Sequence, residues 1–442
     1  RFTQSIAARE GSGAIIRTLI KADWQTALEA LARKESAWFP DGASMAALVI
    51  DNETRGVRAY LDGLDFWSAN GQIDLARAVR SPGSALKPLI YGLAFDELPL
   101  HPETVLVDEP LMFGDYAPQN FDRGFQGMVS VRGALQASLN VPAVAVLDRL
   151  SPVRFAAMLN EGGAHLDFPG ERTTPGLPMA LGGVGITLFD LAKLYVALAD
   201  EGVAGDLRIV EGAPAKVGPR LISKRAAYYV EDILRGSPMP DGWSRGQSVH
   251  RARQIAFKTG TSYGFRDAWS VGYSPRYTVA VWVGRPDGSA RAEQLGRNVA
   301  APLVFKIFDL LPAEPADARS PPSDAIRVAS AGDLPRAMQR FDTNPQSAMQ
   351  ASLGAVAPQV AYPPDGSVLS LGASQIDRTL LLRATGGAQP LRWLVNGQLL
   401  PPAADLEATQ WVAPGPGFAR ITVIDAAGRS SSAEVQIKLE RS

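Results

Sequence analysis

Residues 80–88 read Arg80-Ser81-Pro82-Gly83-Ser84-Ala85-Leu86-Lys87-Pro88. Proline is tolerated only in or near the first turn of a helix, so Pro88 places a helix start close to Ser84. Residues three apart share a helix face, and the Lys87 amine can therefore reach the Ser84 hydroxyl as its base. The N-terminal end of the helix dipole favours negative charge developing beside that hydroxyl. The competing reading is a surface helix end, since chance alone supplies about 0.6 Ser-x-x-Lys pairs in a chain of this composition.

Two further triplets come later in the chain or beside this one. Ser-x-Asn occurs as Ser68-Ala69-Asn70 and Ser138-Leu139-Asn140, where chance supplies about 0.5. The first lies in a strand-rich region ahead of Ser84 and reads as a turn. Lys258-Thr259-Gly260 is more specific, with about 0.03 expected by chance. It closes a strand at Ile255–Phe257, so its side chains should project from a rigid edge, and its glycine would admit a substrate backbone closely.

Around these motifs, residues 13–35 read as a helix from the spacing of Ile16, Leu19, Ile20, Leu28, Leu31 and Ala32. Met45–Ile50 and Val57–Leu61 read as strands joined by the turn at 51–56. A mostly helical stretch runs from Leu86 to about Asp200. Strands return at Ile255–Lys258, Ala268–Tyr273 and Tyr277–Val283, the last two a hairpin over Ser274-Pro275-Arg276. A helix comes next at Val299–Leu311. Strands at both ends of a helical middle predict an α+β domain with an antiparallel sheet.

Beyond Leu311 the prolines at 312, 315, 321 and 322 read as a linker, with a short helix near Pro335–Phe341. From residue 357 come short strands at Ser367–Leu371, Thr379–Arg383, Leu391–Val395, Gln410–Val412, Ala419–Ile424 and Ala433–Leu439, a small β-sandwich. Its strands alternate: Phe418, Arg420 and Thr422 should face away from Ala419, Ile421 and Val423. No catalytic constellation is visible there, and the domain is expected to take no part in chemistry.

Composition narrows the field. The 442 residues contain no cysteine, which removes disulfides, thiolate zinc sites and a cysteine nucleophile. Forty-four basic and 45 acidic residues leave a net charge of −1, without the footprint of a nucleic-acid binder. The uncharged stretch Thr173–Phe189 is 17 residues with two prolines and four glycines, too short and broken to span a bilayer. The chain opens on Arg1 without a signal peptide, so it is expected to be a piece whose export signal or anchor lies upstream.

In this order the three motifs match the signature of penicillin-recognising serine acyl enzymes. The segment 80–88 resembles the nucleophile segment of class A penicillin-binding proteins. So do Lys258-Thr259-Gly260-Thr261-Ser262 with Asp267-Ala268-Trp269 and Val271-Gly272-Tyr273, and Leu181-Gly182-Gly183-Val184-Gly185-Ile186-Thr187-Leu188. The resemblance covers about residues 13–311, and the β domain behind it is similar to the 1C type. It implies a transpeptidase domain of the penicillin-binding and serine β-lactamase fold, an antiparallel sheet with helices and a helical subdomain, followed by the β-sandwich. Expected boundaries are 45–312 for the transpeptidase, 313–356 for the linker and 357–442 for the sandwich. Class A members carry an anchor and a glycosyltransferase domain first. Residues 1–44 would be the end of that connection, and glycan polymerisation is not expected of this chain.

The resemblance also implies roles. Ser84 would attack the carbonyl between two terminal D-alanines of a peptidoglycan stem peptide, with Lys87 as base. Ser138 would relay a proton to the leaving nitrogen, and Asn140 would hold Lys87 and the substrate amide. Lys258 would supply positive potential beside Ser138. Thr259, Gly260 and Thr261 would bind substrate, with the N–H groups of Ser84 and Thr261 as oxyanion hole. No metal or cofactor is expected. Partners would be stem peptides, β-lactams as covalent inhibitors and a cell-envelope protein met by the C-terminal domain, on the periplasmic face of the inner membrane. A D,D-carboxypeptidase side activity is compatible.

Other readings compete. Gly260-Thr261-Ser262-Tyr263-Gly264 fits the nucleophile elbow of α/β-hydrolases, but the next segment reads as strand where that elbow needs a helix, and His101, His165 and His250 are scattered. A serine β-lactamase would need a deacylating base; Glu161 and Glu171 follow the Ser138 motif, but neither has the motif context of that base, and the linker and β domain fit a cell-wall synthase better. A penicillin sensor that acylates and stops shares the motifs. Trp269 and Tyr273 read as packing residues, and Tyr263 as a wall of the acyl pocket.

Overall fold

The computed structural model describes residues 15–39, 42–68, 70–113, 116–168, 174–240, 243, 253–290, 295–314, 319–341, 357–372, 378–387, 390–401, 408–426 and 428–439. The chain forms two compact units. One comprises residues 1–104, 130–139 and 143–339, the other 105–129, 140–142 and 340–442.

The first unit begins with α1 (Ala22–Ser36), β1 (Ser44–Asp51) and β2 (Gly56–Leu61), and a 3₁₀ turn at Gly83–Leu86 runs into α2 (Lys87–Glu97). Next in the chain, β3 (Val105–Asp108) and β4 (Gly127–Ser130), which apart from Ser130 belong to the second unit, pair with each other. Then come α3 (Val131–Gln136), α4 (Asn140–Leu150), α5 (Pro152–Glu161), α6 (Leu188–Ala199), β5 (Val203–Gly205), β6 (Val217–Arg220) and α7 (Lys224–Arg235). The strands β7 (Ala256–Thr261), β8 (Asp267–Tyr273) and β9 (Tyr277–Gly284), α8 (Gly296–Leu310) and the single turn α9 (Arg336–Gln339) complete it.

Five of these strands make an antiparallel sheet in the order β2-β1-β9-β8-β7, so β7 is an edge. Met45, Ala47, Val49, Val279, Val281 and Val283 share one face and pack on Leu28 of α1 and Leu303, Ile307 and Phe308 of α8. On the other face α6, all 12 of its residues buried, lies against β1, β8 and β9. Every residue of β1, β8 and β9 is buried. A sheet covered on both sides reads as continuous apolar runs, which is how these strands show in the sequence. Each large side chain buried there contributes roughly 1.5–3 kcal/mol.

Three expectations change. The helix read over 13–35 is shorter: Ile15–Lys21 is extended, with Thr18 bridging Val210, Leu19 N–H donating to Ile209 O (2.7 Å) and Lys21 N–H to Arg58 O (2.8 Å). Helical spacing of Ile16, Leu19 and Ile20 was outweighed by backbone pairing; residues 13 and 14 lie outside the described residues. Lys258-Thr259-Gly260 does not follow a strand but sits inside β7. The proline-rich stretch is no free spacer. Arg319 pairs with Glu231, Ile326 N–H donates to Tyr229 Oη (2.7 Å), and Met338 O accepts from Thr104 Oγ1 (2.6 Å).

In the second unit the strands are β10 (Gln359–Tyr362), β11 (Val368–Leu371), β12 (Thr379–Thr385), β13 (Arg392–Val395), β14 (Gln398–Leu399), β15 (Ala408–Val412), β16 (Gly417–Ile424) and β17 (Ser430–Leu439). They form one sheet of order β10-β12-β15 and a second of order β11-β17-β16-β13-β14. Leu380, Leu382, Trp393, Ile421, Val423 and Val435 lie in the core of this sandwich. Asn396 and Gly397 take positive φ (50° and 79°), the two-residue turn that their sequence demands. The unit that holds this sandwich also contains residues 105–129 and 140–142.

Candidate active site

The nucleophile segment is fixed before any substrate arrives. Arg80 and Ile186 exchange backbone hydrogen bonds (3.0 and 2.9 Å), and Ser81 Oγ donates to Gly182 O (2.7 Å). Trp269 Nε1–H donates to Ser81 O (2.8 Å) and Tyr195 Oη–H to Ala85 O (2.7 Å). Ser84 is half-buried in the 3₁₀ turn Gly83–Leu86, and Lys87, the first residue of α2, is fully buried. In a 3₁₀ turn residues i and i+3 eclipse, which sets Lys87 above Ser84.

Absence of side chains brings this segment onto the sheet edge. A Cβ on Gly260 would lie 2.2 Å from Pro82 O, and one on Gly83 (φ +54°) 2.3 Å from Thr261 O and 2.7 Å from Thr261 N. One on Gly182 (φ +88°) would lie 2.4 Å from Gly83 N. What approaches Gly260 most closely here is the protein's own nucleophile segment. The same closeness sets the backbones of Gly83–Ser84 and Thr261 side by side.

Ser138 lies between two lysines. Lys258 Nζ donates to Ser138 Oγ (2.8 Å) and to Thr259 O (2.9 Å), while Lys87 Nζ donates to Ser138 O (2.7 Å) and Leu139 O (3.0 Å). Ser138 has φ +59°. It follows α3 in a Schellman turn, with Ser138 N–H bonded to Leu135 O (3.1 Å) and Leu139 N–H to Ala134 O (2.9 Å). Glycine is the usual occupant of that position, and a serine held there stores local strain of the kind that clusters at functional sites. Burial of Lys258 lowers its ammonium to about 7.

Thr259 and Thr261 share one side of β7 by strand alternation. The Thr261 hydroxyl accepts from Gly296 N–H, the first residue of α8, at 2.9 Å, and keeps its own proton to donate. Asn140 starts α4 and belongs to the second unit. Its Nδ2 donates to Gln119 O (2.7 Å) and its N–H to Asn120 Oδ1 (2.7 Å), and Asn120 Nδ2 is in turn bound to both oxygens of buried Asp108 (2.8 and 2.9 Å).

The penicillin-binding protein transpeptidase domain family matches residues 45–309, and the Penicillin-Binding Protein C-terminus Family matches residues 348–437. The chain belongs to the penicillin-binding proteins. It is 41% identical to penicillin-binding protein 1C of Escherichia coli over 300 residues, 67% of this chain and 38% of that protein. It is 30% identical to penicillin-binding protein 1F of Bacillus subtilis over 271 residues, 57% of this chain and 37% of that one. It thus spans under two fifths of the length of these relatives. Among solved structures, PonA1 of Mycobacterium tuberculosis in complex with penicillin V shares the fold with a TM-score of 0.59 at 23% identity, covering 70% of this chain and 87% of that one.

Within this penicillin-binding protein, sequence reasoning missed the residues that clamp the nucleophile segment. Trp269, read as packing alone, also donates to Ser81 O, and Tyr195 was not singled out. The glycines of 181–188 were noted for their likeness to the family, without the contact that explains them. The hydrolase elbow dissolves: Ser262 Oγ donates to Asp267 Oδ2 (2.7 Å) and accepts from Asp267 N–H (2.9 Å), closing the turn into β8. His101 is buried against Ile326 O, and His165 is exposed beside Asp190. His250 and Glu171 lie outside the described residues, and Glu161 is exposed at the end of α5. Tyr263 is 98% exposed. Among the described residues no cluster of His, Asp or Glu could hold a metal ion, and no helix is long and apolar enough to cross a membrane.

Proposed function

We propose that this chain is a peptidoglycan D,D-transpeptidase that works through an acyl-serine at Ser84 and is inhibited covalently by β-lactams. The observation that carries the reading is Ser138 clamped between Lys87 and Lys258, with Lys87 one tight turn from Ser84. Ser84 Oγ attacks the carbonyl between the two terminal D-alanines while Lys87 Nζ, in its neutral form, takes the hydroxyl proton. Charge on the carbonyl oxygen is met by the N–H groups of Ser84 and Thr261, worth roughly 3–4 kcal/mol per donor in comparable acyl transfers. Ser138 relays the proton held by Lys87 to the leaving nitrogen, which returns Lys87 to its neutral form, and D-alanine departs as the ester forms. The amine of a second stem then attacks the ester, returns a proton to Ser84 and leaves the cross-link. Water in place of that amine would give the D,D-carboxypeptidase side reaction.

Asn140 is assigned to the substrate amide and Lys87. The charged form of Lys258, with the hydroxyls of Thr259 and Thr261, is assigned to the substrate's terminal carboxylate. Gly260 serves by letting the nucleophile segment sit against β7. We assign 45–312 to the transpeptidase domain, 313–356 to the connection and 357–442 to the sandwich. The site of action is the periplasmic face of the inner membrane, with a cell-envelope protein as a partner of the sandwich. A donor pentapeptide ending in D-alanyl-D-alanine tests this: D-alanine should be released with turnover, and not by Ser84→Ala. A chain that takes penicillin yet releases no D-alanine would be a sensor instead.

A further inference from the structure

Inside the second unit a cavity of about 490 Å³ lies between residues 110–111 and 117–125 on one side and the sandwich on the other, within the roughly 300–1,000 Å³ usual for small-ligand sites. Its floor is the sheet face that the alternation of β16 turns away from the core: Ala419, Ile421 and Val423 point inward, and Phe418, Arg420 and Thr422 face the cavity. Gln119, Arg123 and Phe125 line the facing side, and Asn396 lines the floor beside β16.

Three features define what would fit. The strands beneath, β13, β16 and β17, are interior to their sheet, so an extended peptide finds no open backbone edge in the floor to pair with. The Arg420 guanidinium is committed to Glu434 and to Arg123 O, which cancels most of the charge at the floor. Phe418 is 78% exposed, an apolar ring left in water beside the carboxamides of Gln119 and Asn396. An aromatic platform with carboxamides, a floor neutralised by the Arg420–Glu434 pair and one further guanidinium, Arg123, suits a ring-shaped ligand with an apolar face and a rim of hydroxyl and amide groups that can accept hydrogen bonds.

We propose that this cavity is a saccharide-binding site that takes one or two N-acetylated hexose rings, with Phe418 as the stacking platform. The choice of N-acetylated sugar rests on the reading of the chain as a peptidoglycan enzyme; the site itself rests on the cavity. It gives the C-terminal domain a function of its own, holding a glycan strand while the other unit acts on peptide.

The full chain is titrated with the tetrasaccharide of N-acetylglucosamine, followed by calorimetry and saturation-transfer NMR. Saturable binding is expected. Phe418→Ala should weaken it about tenfold and Phe418→Trp should restore it. Because Phe418 is exposed, both variants should keep the wild-type circular dichroism spectrum and thermal unfolding profile, which shows that the sandwich is folded, and should take labelled penicillin at the wild-type rate. No saturable binding by the wild type, or equal affinity in Phe418→Ala, overturns the proposal. So does Phe418-dependent binding of a free stem pentapeptide that the tetrasaccharide does not displace. A wild type that binds the tetrasaccharide but takes no penicillin keeps the saccharide site and removes the transpeptidase reading.

Discussion

Among the described residues, two five-stranded sheets are built on opposite plans. In the catalytic unit helices cover both faces, β1, β8 and β9 are buried throughout, and the edge strand β7 meets the nucleophile segment through glycine with no room for a methyl group. In the sandwich one face of the sheet is core, and the other presents Phe418, Arg420 and Thr422 to a cavity. The difference separates two ways of making a site. Chemistry that needs a hydroxyl, two lysines and an oxyanion hole in register demands a frame without slack. Recognition of a ligand needs an open face whose side chains can change at little cost to the fold.

The rigid frame is most sensitive at Lys87. Lys87→Arg keeps the charge but cannot give up its proton, and acylation by a β-lactam, followed by stopped-flow or labelled penicillin, should fall by about 10³-fold or more. Near-normal acylation would remove Lys87 from the base role. Ser138→Gly should lower acylation by about 10²-fold or more through loss of the proton relay. Its stability should stay within about 1 kcal/mol of wild type, because relief of the left-handed strain offsets the lost hydrogen bond. A large fall in the thermal midpoint would mean that Ser138 is structural.

Paired glycines put numbers on the contrast between the two sheets. Gly260→Ala forces a methyl against Pro82 O, which should cost about 1–3 kcal/mol of stability and, by shifting Ser84, about 10²-fold in acylation. Gly415→Ala in the sandwich meets nothing within 4 Å, and should change stability by less than about 0.5 kcal/mol and acylation not at all. Equal effects at both positions would erase the distinction between the two frames.

A pH limb should be the mildest of these effects. With its ammonium lowered to about 7, Lys258 is charged below that pH and neutral above it. If its charge receives the carboxylate of a β-lactam, the second-order acylation constant, which reports the free enzyme, should fall as pH rises through about 7. Lys258→Arg, charged throughout, should lose that limb. A profile flat across neutrality in the wild type would deny Lys258 this role.

The sequence made legible whatever local chemistry dictates. The runs Ala268–Tyr273 and Tyr277–Val283 show as strands because both faces are apolar, and Pro88 announces the start of α2. The sandwich alternation around Ala419–Ile424 foretold which side chains lie in the core and which face away from it. Less legible was what depends on contacts between distant segments. Ile16, Leu19 and Ile20 have helical spacing but pair with residues 209–210 or lie next to that pairing. The clamps from Trp269 and Tyr195 onto the nucleophile segment join residues more than a hundred positions apart, with no motif to mark them. Gly260 was recognised as a position needing close approach, but the sequence could not say which backbone would come near.

The mechanism stands on Ser84 being the acylated residue, and intact mass spectrometry after exposure to a β-lactam, followed by peptide mapping, decides that point. A single adduct is expected on the peptide containing Ser84, absent from a folded Ser84→Ala variant. An adduct on Ser138 or Ser262, or one that persists in Ser84→Ala, would contradict it.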